Sequence, residues 1–161
     1  MNLNKITTDA ISLYAKTDLF KNMDNTIIYL SYSNYLLLKK LIIERVNSAI
    51  SEEVKAIELK TMKELIDFVN VNDSLLNGDF LQSDPLPYIN SKNIFIAIQK
   101  DVKKISEAVE SIRPDYLTEE ENDTLYTALL ESTEVLTLNR GLLDPINDFE
   151  IPIFAIDIAN K

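Results

Sequence analysis

Apolar residues recur along the chain mainly at steps of three and four, the spacing of a helix with one buried face. In the first segment Ile6, Ala10, Leu13 and Tyr14 fall on such a face and predict a helix over residues 5–20. From Asn25 to Val71 there is no Gly and no Pro, and Leu38, Ile42, Val46, Ile50, Val54 and Ile57 continue into Met62, Leu65, Ile66 and Val69. That stretch predicts one very long helix or a pair. Ser51, followed by Glu52 and Glu53, is a candidate N-cap for a restart. Asn77-Gly78 supplies a helix end, and residues 78–90, with Pro85 and Pro87 leading to Tyr88, read as an irregular crossover.

Phe95, Ile98, Val102, Ile105, Val109 and Ile112 then repeat at alternating steps of three and four, a seam that Arg113-Pro114 ends. Thr118 with Glu121 forms a capping box for a last helix. Leu125, Ala128, Leu129, Ser132 and Leu136 face inward along it, with Arg140-Gly141 closing it and Asp144-Pro145 opening a further short turn. The tail, EIPIFAIDIANK, places Ile151, Ile153 and Ala155 on one side of an extended chain and Phe154, Ile156 and Ile158 on the other.

The fold class these readings predict is all-α. It is a helical bundle of about four to five helices over residues 1–143, with one long central helix or helix pair and an extended apolar C-terminal arm over 144–161. A chain of 161 residues with 46% hydrophobic and 26% charged positions has globular composition and a single-domain length. Only 2 Gly and 5 Pro leave few tight turns, which favours long helices.

The chain has no Cys and no His. Thiol and imidazole nucleophiles, disulfides and soft metal ligands are thereby excluded, as is the commonest general base near neutral pH. No catalytic residue, cofactor or metal site is expected. EEEND, Glu119 to Asp123, gathers acids in a first helical turn, where the helix dipole already accounts for them. On this reading the melting temperature should ignore EDTA and added Ca or Mg.

The net charge is −10, and residues 115–161 carry eleven acids against two bases. Nucleic acid is a poor match for that surface. No apolar run reaches a membrane span and the N-terminus lacks a secretory pattern, so no membrane association is expected and the location is cytoplasmic or virion. Lys heavily outnumbers Arg, and Ile and Asn are abundant, which suits an AT-rich coding genome.

Two functional classes fit. The first is a non-enzymatic structural or assembly subunit, of which a phage virion component such as a head–tail connector ring subunit is one example. It would contact a protein partner, as a homo-oligomer or in a larger assembly, through Ile151, Ile153, Phe154, Ile156 and Ile158, and through Tyr29, Tyr32 and Tyr35 as one helix edge. The second is an acidic monomeric inhibitor or immunity-type protein that covers a basic surface.

Overall fold

The computed structural model describes residues 4–48, 51–54, 56–57, 60, 94–99, 117–148 and 151–161. Its centre is a five-stranded parallel sheet, which overturns the all-α expectation. In chain order the described elements are β1 (Asn4–Thr8), α1 (Ala10–Ala15), α2 (Thr17–Lys21), β2 (Thr26–Ser31), α3 (Tyr32–Asn47) and β3 (Ile94–Gln99). They continue with α4 (Glu119–Glu131), β4 (Glu134–Thr137), α5 (Arg140–Asp148) and β5 (Ala155–Asp157). The strand order is β3-β2-β1-β4-β5. Each adjacent pair is parallel, with Ile6 opposite both Ile28 and Glu134, Leu30 opposite Ile98, and Leu136 opposite Ile156.

A parallel sheet of this kind is covered on both faces, so its strands need not alternate apolar with polar. All six residues of β2, Thr-Ile-Ile-Tyr-Leu-Ser, are buried. Ile6, Ile28, Leu30, Ile96, Ile98, Leu136 and Ile158 pack with Leu13 of α1, Phe20 of α2 and Leu38 and Ile42 of α3 in one core cluster. Val135 packs with Leu125 and Ala128 of α4 and Leu142 and Ile146 of α5 in a second.

Several helical assignments change accordingly. The expected helix over 5–20 is a strand and two short helices, because the β-branched run Ile6-Thr7-Thr8 suits a sheet and Asp9 caps α1. In the Gly-free stretch the first six described residues after Asn25 are β2, and α3 begins only at Tyr32. α3 ends at Asn47, and a helical turn resumes at 52–54 with the Val54 N–H donating to Ser51 Oγ at 3.1 Å. Ile98 is a strand residue rather than part of a helical seam. Val102, Ile105, Val109 and Ile112, like Met62 to Val69 and the 78–90 crossover, lie outside the described residues.

The capping box at Thr118 is present as expected. Its helix ends earlier than the sequence suggested, at Ser132 in the left-handed conformation, and Leu136 belongs to β4. Arg140-Gly141 opens α5 instead of closing α4. Pro145 lies within α5, where it gives up a single N–H and is itself buried. The boundary placed between 143 and 144 thus falls inside a helix, and the tail adds β5 beside β4.

Candidate functional site

Strand order reverses between β1 and β4: from β1 the chain builds outward through β2 and β3, and β4 and β5 fill the other side. At such a switch point the loops leaving two neighbouring strands diverge to opposite faces and open a crevice at their carboxyl ends. A cavity of about 240 Å³ sits there, lined by Asp9, Asn34, Thr118, Glu120, Glu121 and Asn139 with Ile11, Leu37 and Leu142.

Each polar group arrives at the end of a predictable local structure. Asp9 comes directly after β1 and caps α1, its Oδ1 accepting the Ser12 N–H at 2.9 Å. Its Oδ2 accepts from Ser12 Oγ at 2.9 Å and also from Thr137 Oγ1 at the end of β4. Both hydroxyls spend their protons on the carboxylate, so each has lone pairs for a backbone donor. Ser12 Oγ accepts the Leu138 N–H at 2.8 Å, and Thr137 Oγ1 accepts the Asn139 N–H at 2.9 Å. Asp9 is the acceptor on which both sides of the crevice converge. A carboxylate offers about four lone-pair sites, and three are taken.

Asn34, buried in the first turn of α3, accepts the Ala10 N–H at 3.0 Å. Its amide nitrogen donates to Ser31 Oγ at 2.7 Å, Thr124 Oγ1 at 2.8 Å and the Glu120 carbonyl at 3.1 Å, tying α1, α3 and α4 together. Ser33 Oγ donates to Asp123 at 2.5 Å on the outer side of the same junction.

On the opposite wall Asn139 caps α5 by accepting the Gly141 N–H at 2.8 Å, and its amide nitrogen donates to Glu121 Oε2 at 2.9 Å. Glu121 Oε1 meanwhile accepts the Thr118 N–H at 2.9 Å. Glu121 is therefore committed to structure. The half-buried Glu120 side chain, by contrast, has no hydrogen bond or ion pair among the described residues.

Among the described residues the cleft is walled by three carboxylates and two amides, with no Lys or Arg. Among the described residues no group of three or more acidic, His or Cys side chains is placed to hold a metal ion. The nearest cation in sequence, Arg140, is turned outward onto Asp144 at 3.3 Å and Asp157 at 3.4 Å.

The residues singled out from sequence lie elsewhere. Tyr29, Tyr32 and Tyr35 do not form a helix edge: Tyr29 is buried in β2, Tyr35 is buried within α3, and Tyr32 remains exposed. The Tyr32 and Tyr35 rings are 6.4 Å apart, and Lys39 Nζ lies 4.3 Å from the Tyr35 ring centre. Burial, and then the Glu131 carboxylate, raise the Tyr29 hydroxyl far above the usual tyrosine value. In the tail Ile151 and Ile158 are buried, Ile153 and Ile156 half-buried, and Phe154 is 81% exposed.

Sequence reasoning missed Asp9, Asn34 and Asn139. The readable signal was the pair of β-branched or apolar runs ending in a capping residue, Ile-Thr-Thr-Asp at residues 6–9 and Val-Leu-Thr-Leu-Asn at 135–139. No protein-family model matches the chain, and no curated protein is significantly similar to it. Among the described residues no helix is long and apolar enough to cross a membrane.

Proposed function

We propose that the chain is a ligand-binding α/β domain whose working site is the acidic cleft at the β1/β4 switch point. The cleft takes a hard divalent cation of the Mg²⁺ kind and, through it, a phosphate-bearing ligand. The observation that carries this reading is a lining with three carboxylates and, among the described residues, no cationic side chain, in which the Glu120 carboxylate is unengaged and the Asp9 carboxylate retains acceptor capacity, at the place where parallel α/β sheets bind ligands.

Mg²⁺ keeps several waters and is commonly held by one or two protein carboxylates plus substrate phosphates, so a closed cage of protein ligands is not required. Asp9 and Glu120 would supply the carboxylates, and the amides of Asn34 and Asn139 would hold the walls in register. This reading replaces the expectation that added divalent ions leave the protein unchanged.

Mn²⁺ titration monitored by NMR tests it. Paramagnetic broadening should centre on the amides of residues 9–12, 118–121 and 138–140, and Glu120→Gln should weaken it at least tenfold without lowering the melting temperature. Broadening scattered over the surface carboxylates, or unchanged in Glu120→Gln, would sink the proposal.

The assembly-subunit reading stays as a second proposal because of one observation, the 81% exposure of Phe154 beside an edge strand of three residues.

A further inference from the structure

The second large concavity lies on the α1–α2 flank and belongs to neither reading. It measures about 700 Å³, within the range of small-molecule sites. Among the described residues its lining has three lysines, Lys16, Lys21 and Lys161, against one acidic side chain, Asp18. In a chain of net charge −10 this is a local inversion of sign.

Lys16 is also held in place. Its Nζ donates to the Ala159 carbonyl at 3.2 Å and to a main-chain oxygen of Lys161 at 3.1 Å. An ammonium has three N–H groups, so one remains for a ligand. Because the long side chain is already fixed by the tail, less rotamer entropy is lost when that donor is used. Tyr14, Leu19 and Met23, which also line the cavity, are half-buried and pack onto the main core cluster, which gives the lining an apolar part.

We propose that this cavity is a binding site for a small amphiphilic anion, a phosphate or carboxylate joined to an aromatic or aliphatic body. The charged end meets Lys16, Lys21 and Lys161, and the body lies against Tyr14, Leu19 and Met23. The charged end alone would be weakly held. The surrounding acidic surface repels free anions, and at physiological salt that field is screened beyond about 8 Å. The apolar part of the lining is what raises affinity over that of a bare ion.

Phenyl phosphate titrated to 10 mM against the full-length ¹⁵N-labelled protein is the direct test, with inorganic phosphate and benzoate as separate arms. Saturable shifts should cluster on the amides of residues 14–23, be stronger for phenyl phosphate than for inorganic phosphate, and weaken at least fivefold in Lys21→Gln and in Lys161→Gln. Benzoate binding at the same amides would show that a carboxylate serves as well as a phosphate. The proposal is overturned by the absence of saturable shifts, by shifts that survive both lysine variants, or by equal affinity for phenyl phosphate and inorganic phosphate. Neither lysine belongs to the switch-point cleft, so this result is independent of the cation reading.

Discussion

At the scale of single residues, two positions show how burial and close approach set energies that no sum of contacts captures. The Tyr29 hydroxyl is buried without a hydrogen bond of good geometry, and Glu131 lies near enough to raise its proton affinity further. Removing an unsatisfied buried hydroxyl costs little, so Tyr29→Phe should keep or raise the melting temperature at pH 7. Its effect should grow in alkali. The phenol is raised in the folded chain, so the unfolded chain releases that proton first, near its ordinary value of about 10. Stability from Tyr29 is whole below that pH and drains away as pH rises above it. Urea midpoints measured from pH 8 to 11 should therefore fall less steeply for Tyr29→Phe than for the parent, and parallel curves would refute the assignment.

Gly141 is the second such residue. A Cβ there would collide with the Glu121 carboxylate and crowd Asn139 Oδ1, so those hydrogen-bonded side-chain ends would have to shift to admit it. Gly141→Ala should cost about 1–3 kcal/mol, the range for overpacking a tight contact. If Glu121 is the obstacle, Gly141→Ala should be much milder in a Glu121→Ala background, and a double-mutant cycle measures the coupling. Additive effects would place the strain elsewhere.

At the scale of elements, the features that the sequence disclosed and those that it hid both have physical reasons. Side-chain caps were legible because they depend on residues three apart: the Thr118–Glu121 box and the Ser51 cap are both formed. The inward faces of α3 were legible through Leu38 and Ile42. The strands were not. β2 is buried on both faces and has no polar alternation, so it reads as part of a longer apolar run, and Leu136 satisfies a helical step of seven from Leu129 while lying in β4.

The low Gly count misled for a related reason. Antiparallel hairpins require tight turns, whereas parallel strands are joined through helices and turn at caps such as Asp9 and Asn139. α4 also ends without Gly, at Ser132 with φ of 55°. Of the candidate site, the carboxylates at Glu120 and Glu121 were visible as acids but were explained by the helix dipole alone. Only the strand order brings them to the same cleft as Asp9, which lies more than a hundred residues away in sequence.

At the scale of the whole molecule, the tail that looked like a free arm divides into two roles. Parallel pairing places Ala155, Ile156 and Asp157 against Val135, Leu136 and Thr137, and the Ile158 N–H donates to the Thr137 carbonyl at 3.2 Å. Ile158 is fully buried in the main core cluster, while Phe154, four residues earlier, is 81% exposed. Four residues apart, the two would share a face of a regular extended chain; both lie just outside β5, so their different burial comes from where the flanking segments run and not from strand alternation. Ile158→Ala should destabilise the protein by about 2–5 kcal/mol, as for other buried large-to-small changes. Phe154→Ser should leave the melting temperature within a degree or two, because little of that ring is removed from water by the fold. Size-exclusion chromatography with light scattering then separates the two roles. If Phe154 serves contact between chains, Phe154→Ser stays folded but shifts an oligomer toward monomer; if parent and variant have the same mass across the micromolar range, Phe154 makes no contribution to self-association and the assembly reading loses the observation that supports it.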